Sequence, residues 1–442
     1  MSKTVYRVLR VVCEVLGSVP VGTNRSLVDV CWMVLSGQLL SSRGAVIPGL
    51  AALGLPAAAV RRAWAALGHG AWTSAQLVTR WGQVVREEGV WQVRRHGGWV
   101  ALAADITHFV RPRLTTCGRR EYLPGAKQTV RTIPLGIVAR VGQVGTQRLG
   151  LPLALVRAEG EAASREAHAV AVITALVAEP GPEDVAVVDR GFVVSLLQAQ
   201  DCVRYVARLL KNVTARRATL PPPTGRGRPR TRGDLVRPLA RTRQGRLYPA
   251  TPPDRTETWT DDADRPVRAD WWHDLVLPAA APDAPRFSIV AIHDPRYDEP
   301  LLLATSLPLS GADAQALYQD RWAVEQLPLA AKPMLGAHRQ FVHAPETCQR
   351  LPELTLLLGS ILTYLAATHP PIATGFWDRR PQPTPGRFRR LLARQPFPQT
   401  FPWPARFRQK AAVTAHLPKG VLGHRRSPAP QPACQLASLS GN

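Results

Sequence analysis

The stretch SGADAQALYQDRWAVEQLPLAAK, residues 310–332, spaces Tyr318, Arg321, Glu325 and Lys332 along one side of a helix. At about 100° per residue the four fall within an arc of roughly 60°. One carboxylate then stands among a phenol, a guanidinium and an ammonium. Cations neutralise phosphate and a carboxylate holds a metal ion, so this face suits a phosphate chain approaching a metal. Two further acids sit at telling places: Asp105 in the apolar run GGWVALAADITHFVRPR, and Asp189 closing the run DVAVVDRGF. Three carboxylates on separate elements can hold two divalent ions, which activate the attacking oxygen and stabilise the leaving one in phosphodiester displacement. A single acid carries no such meaning, and Asp261, Asp262 and Asp264 in DDADR read as a turn.

The elements that must position these residues follow from local pattern. Ser310, with Asp313 three residues on, is an N-cap signal, and no Gly or Pro interrupts Ala312 to Leu327. Leu317, Val324 and Ala331 repeat at sevens on another side, where burial would aim the polar face. Pro328 lacks the backbone N–H and clashes with the Val324 carbonyl, so the helix is expected to kink or end there, which leaves Lys332 the least secured of the four. From Gly97 three β-rich runs separated by Gly predict a meander with Asp105 on its first strand. An amphipathic helix over 161–181, a continuously apolar strand ending at Asp189, a helix (FVVSLLQAQ) and a strand (CVRYVARLL) follow. The order is three strands, helix, strand, helix, strand.

Around this core, residues 1–95 read as a helical N-terminal domain, with helical spacing in Val5–Leu16, Leu27–Leu40 and Ala57–Leu67. Arg61 and Arg62, or the span around Arg80 and Arg86, could lie against DNA; a packing domain with solvated arginines explains them equally. The core occupies 96–212 and 301–372, split by a β-rich, basic insertion at 213–300. The insertion contains GRGRPRTRG, whose Arg226, Arg228, Arg230 and Arg232 suit tracking of a phosphate backbone or groove. Residues 373–442 form a basic, Pro-rich C-terminal region, expected to be partly disordered, with RFRRLLARQ (387–395) as a possible helix.

Composition bounds the partner class. Lys and Arg number 56 against 32 Asp and Glu, a net charge of +24, and the isoelectric point is about 11.1. Such a balance predicts a polyanion partner, DNA or RNA, ahead of an anionic membrane surface. The six cysteines are scattered without a CxxC pair, which indicates neither a zinc site nor a disulfide framework. Arg7, Arg10 and Glu14 interrupt the apolar N-terminus, and the run Leu354–Ala367 is too short to span a bilayer, so a reducing cytoplasm is the expected compartment.

Taken together, these residues resemble the DDE transposases of bacterial insertion sequences, of the cut-and-paste type with an α/β RNase H-like (retroviral-integrase-like) catalytic core. The helix matches that family's Y-x2-R-x3-E-x6-K signature at Tyr318, Arg321, Glu325 and Lys332. Asp189-Arg190-Gly191-Phe192 matches its D-R-G-F/Y motif, and Asp105-Ile106-Thr107 its D-x-T. The resemblance covers roughly residues 97–370. It implies that Asp105, Asp189 and Glu325 are catalytic and hold two Mg2+ ions, with Mn2+ as a substitute. It also implies that Tyr318, Arg321 and Lys332, with Arg190 beside the second acid, contact the backbone of the element's terminal DNA. A homodimer pairing two DNA ends and a nucleoid-associated location in a bacterial cytoplasm are further expectations. In relatives that form hairpin ends an aromatic of the insertion stacks on a flipped base, for which Trp259, Trp271 and Trp272 are candidates, although strand packing explains a Trp there as well. A DDE-type nuclease without strand transfer and a repurposed non-catalytic DNA-binding protein are the alternatives.

Overall fold

Apolar positions at helical spacing, broken by Pro and Gly, make the first part of the chain helical. In a computed structural model these helices are α1 (Lys3–Val15), α2 (Thr23–Leu35), α3 (Gln38–Ser41), α4 (Val46–Ala51), α5 (Ala57–His69) and α6 (Ser74–Glu88). The structure describes residues 1–123, 127–158, 164–178, 180–222, 230–281, 283–398 and 400–409. Arg226, Arg228 and the region after 409 lie outside the described residues.

Strands then dominate: β1 (Gln92–Val93), β2 (Val100–Val110), β3 (Arg119–Leu123), β4 (Gln128–Val144) and β5 (Gln147–Arg157). Next come α7 (Arg165–Val177), β6 (Asp184–Val188), α8 (Val194–Ala199) and β7 (Tyr205–Arg208). The strands β8 (Ala215–Arg217), β9 (Leu235–Val236), β10 (Arg241–Arg243), β11 (Arg246–Tyr248), β12 (Arg255–Thr260), β13 (Pro266–Val276), β14 (Phe287–His293) and β15 (Leu301–Thr305) follow. The chain closes its described part with α9 (Gly311–Asp320), α10 (Trp322–Leu329), α11 (Pro345–Ala367), α12 (Pro385–Ala393) and α13 (Ala405–Arg408).

The architecture is mixed α/β around one large mixed sheet. Its path runs β4-β2-β6-β7-β15-β14-β13-β8-β9, with β5 beside β4 and β12 beside β13. Strand β4 lies between β2 and β5 and runs antiparallel to both, whereas β6 and β7 run parallel to β2. The strands of the 213–300 insertion prolong this same sheet, since β15 pairs antiparallel with β7 and β14 with β15.

Alternation along the strands sorts the core into two layers. Ala101, Ala103 and Phe109 of β2 and Val185 and Val187 of β6 face a core shared with α1, α2, α5, α6, α9, α10 and α11. Leu102, Ala104, Ala186 and Val188 face the opposite core, built with α7, α8 and the outer strands. The N-terminal helices thus bury their apolar faces, Trp32 and Trp81 included, in the same core as the sheet and α11. That α11 is buried along almost its whole length fits its continuous apolar run, and among the described residues no helix is long and apolar enough to cross a membrane.

Two glycines let α10 approach closely. A Cβ on Gly150 of β5 would stand 2.9 Å from the Ala323 carbonyl oxygen, and one on Gly359 of α11 would stand 3.2 Å from that of Leu327. Backbone therefore meets backbone on both flanks of the helix that carries Glu325.

Candidate functional site

Strand register brings two of the acids together. Residues 100–104 of β2 pair in parallel with 184–188 of β6, so the next positions, Asp105 and Asp189, are neighbours about 4.8 Å apart across the sheet. Both continue the odd-numbered series that faces α9 and α10. The third acid, Glu325, lies on α10, whose Ala323, Val324 and Leu327 pack into that same core layer. The three carboxylates interact: Glu325 and Asp189 both raise the Asp105 pKa. Burial is the main reason the Asp105 carboxyl sits above its ordinary range, with Arg321 and the Ile106 N–H opposing.

Arg321 is the cation at the centre. Its guanidinium pairs with Glu325 at 2.7 Å and lies 5.4 Å from the Tyr318 ring. Burial would lower its pKa, yet Tyr318, Glu325 and Asp189 together raise it above the usual value. Tyr318 and Arg321 are 8% and 5% exposed, and the Tyr318 hydroxyl and Arg321 Nε have no hydrogen-bond partner among the described residues. Buried donors without acceptors are costly, and a ligand that supplies the acceptor relieves the cost. Two clefts flank this group. One, of about 420 Å³, is lined by Asp105, Asp189, Arg190, His108 and Arg165; the other, of about 630 Å³, by Tyr318, Arg321, Arg208 and Trp322.

Lys332 reaches the site by an unexpected route. Ser310 is the N-cap, its hydroxyl accepting from the Asp313 N–H at 3.1 Å, as its position predicts. The helix breaks first at Arg321, and its α-helical part then ends at Leu329, one residue past Pro328. At the first break the bonds shorten to Arg321 N to Tyr318 O and Val324 N to Arg321 O. Pro328 is tolerated inside α10, and a π-helical turn, Ala330–Met334, takes up the irregularity. A π turn is a common place for functional side chains to leave a regular helix. Through it Lys332 Nζ donates to Thr107 Oγ1 at 2.6 Å and lies 5.0 Å from the Phe109 ring, both on the Asp105 face of β2.

Burial depresses the Lys332 ammonium to about 8, with Asp105 opposing. The sign follows from linkage. Between about 8 and the ordinary value of 10.5 the unfolded chain holds this proton and the folded chain does not, so stability rises with pH across that window. We expect Lys332→Met to remove a rise on the order of 3 kcal/mol, read as the difference between wild-type and variant denaturation curves at pH 7.5 and 10. Equal pH dependence of the two proteins would contradict it.

The other sequence candidates separate. Arg190 is exposed at the rim of the acid cleft. Arg232 is exposed, and Arg230 pairs with Asp234 at 2.8 Å, both near β9, about six strand spacings from β6 or roughly 29 Å. The tryptophans depart from the stacking expectation. Trp271 and Trp272 are 1% and 2% exposed, and their indole N–H groups are taken by Glu257 and by the Thr251 and Pro252 carbonyls. Neither offers a ring face to a base, because both complete the core on opposite faces of β13. Trp259 is half-buried against the core. Glu257 also accepts from the Gly311 N–H, which ties the insertion to the start of α9.

Sequence reading passed over His108, Arg165 and Asp320. His108 lies three residues along β2 from Asp105 and Arg165 opens α7, with no motif to mark either. Asp320 was visible only as the residue before Arg321.

The donor set fits a hard divalent cation: three carboxylates, mutually repelling, one of them pushed toward protonation. With Glu325 turned to Arg321, no three His, Cys, Asp or Glu among the described residues stand in a ready cation cage. No protein-family model matches the chain, and no curated protein sequence matches it.

Proposed function

We propose that the protein is a metal-dependent DNA transposase with an RNase H-like (retroviral-integrase-like) core. The observation that carries this reading is the meeting of Asp105, Asp189 and Glu325 around Arg321, beside two buried donors that lack acceptors among the described residues. A phosphodiester oxygen is an acceptor for both. The order of an antiparallel three-stranded meander, helix, parallel strand, helix, parallel strand supports the fold assignment, and the +24 charge supports DNA as partner.

When bound, two Mg2+ ions, or Mn2+ in their place, held by Asp105, Asp189 and Glu325, supply activation of the attacking oxygen and stabilisation of the leaving one. The chain's own residues do the rest. Arg321 gives its free Nε, and Tyr318 its hydroxyl, to the phosphate of the terminal nucleotide. Lys332, held by Thr107, offsets phosphate charge next to Asp105 and stays cationic at neutral pH, since its pKa is about 8. Arg190 receives the backbone as it leaves the cleft. Water attacks first at the element's end, and the freed 3′-hydroxyl then attacks target DNA in line at the same centre. Two such ends require a synaptic homodimer, and a bacterial nucleoid is the place of action.

The test uses the DNA that flanks the gene on both sides, where the reading expects inverted repeats. With Mg2+ the full chain should nick at the repeat end and join a pre-cut end to a target plasmid. Cleavage without joining would leave a nuclease; no product from either substrate would end the reading.

A further inference from the structure

Asp320 has no exposed surface, yet two arginines and a histidine converge on it. Its carboxylate accepts from Arg94 Nε at 3.1 and 3.3 Å, pairs with Arg148 Nε at 2.9 Å and lies 3.0 Å from His96 Nε2. Burying such a group is a poor route to stability, since an apolar residue of similar size often does as well. What a multiply paired carboxylate adds is direction. Its partners come from two segments: Arg94 and His96 from the chain entering β2, and Arg148 from the start of β5. Arg148 also donates to the Gln319 carbonyl at 2.7 Å. The carboxylate and the carbonyl beside it are thus held where α9 stops. The next residue, Arg321, begins the shortened bonding that interrupts the helix, and α10 starts from there.

We propose that Asp320, clamped by Arg94, His96 and Arg148, is the positioning residue of the acid site. The clamp fixes the break between α9 and α10, and through it the placement of Arg321 and Glu325 against Asp105 and Asp189. Two of its arms belong to the segment leading into β2, so the strand that bears Asp105 and the helix that bears Glu325 share one anchor. This rests on the reading of the three acids as the reacting centre.

The experiment measures nicking turnover at saturating end DNA, DNA affinity, and hydrogen exchange of the amides of residues 318–325. Asp320→Asn and Arg148→Gln should each lower turnover by about 10- to 100-fold with affinity within about threefold, and exchange in 318–325 should quicken. Arg148→Lys, which keeps the charge at a partly exposed position, should recover most of the turnover. Asp189→Asn, inactive but with normal exchange in 318–325, is the control. Turnover within about twofold of wild type in both variants would overturn the proposal, as would a parallel loss of melting temperature, affinity and turnover without rescue by Lys. Should the wild-type chain nick no DNA, the functional reading fails, and exchange still decides the clamp: quickening confined to 318–325 supports it, and unchanged exchange overturns it.

Discussion

Asp189→Asn is expected to lower Mg2+-dependent nicking at least about a thousandfold, about 4 kcal/mol in the barrier, while end binding stays within about threefold. The substitution isolates charge. Asp189 Oδ1 accepts from the Gly191 N–H at 3.0 Å, and an Asn oxygen can keep that bond, so the loop after β6 retains its shape. What is lost is one of three carboxylates able to hold the cation, together with part of the repulsion on Asp105, whose pKa should fall toward the ordinary range. A neutral or slightly raised melting temperature beside the lost activity would fit. Glu325→Gln should be equally inactive but less stable, because a neutral oxygen replaces the charged acceptor 2.7 Å from the buried Arg321 guanidinium. Single-turnover cleavage of a labelled end, with binding followed separately, makes the measurement; substantial cleavage by Asp189→Asn would remove the acid from the mechanism.

Arg157→Ala is expected to cost about 3–5 kcal/mol of folding stability. Glu353 lies on α11 with 1% exposure, and Arg157 of β5 grips it with two bonds of 2.7 Å while also reaching Glu346 at 3.0 and 3.1 Å. Truncating the arginine leaves a carboxylate buried without its cation. Replacing both partners, as Arg157→Met with Glu353→Leu, removes the stranded charge and should return most of the loss, since apolar side chains can occupy such a site at little net cost. Denaturant midpoints of the full chain decide this. A loss below about 1 kcal/mol, or a double variant as unstable as the single, would show that the pair is not the tie between sheet and α11.

Much of the site was legible because its signals are local. Strand alternation and a short apolar run place Asp105 on β2 and Asp189 at the end of β6, and helical spacing with a Ser310 cap places Glu325 on a helix. Local pattern left matters undecided where its rules compete. Pro328 argued for a kink or end, and α10 does stop at Leu329 and pass into a π turn, but the earlier break at Arg321 had no local signal. Tryptophans in a β-rich, basic segment suited either base stacking or strand packing, and alternation on β13 sends Trp271 and Trp272 into the two cores.

By itself the sequence determined which residues carry charge and on what kind of element each sits, since propensity, capping and period act over a few residues. Only the tertiary structure decided who meets whom. Lys332 finds Thr107 across 225 positions, Arg94 finds Asp320 across 226, and Tyr318 and Asp105 open on different clefts of one site. Those outcomes depend on sheet register and on backbone fitting against Gly150 and Gly359, and no window of the chain contains that information.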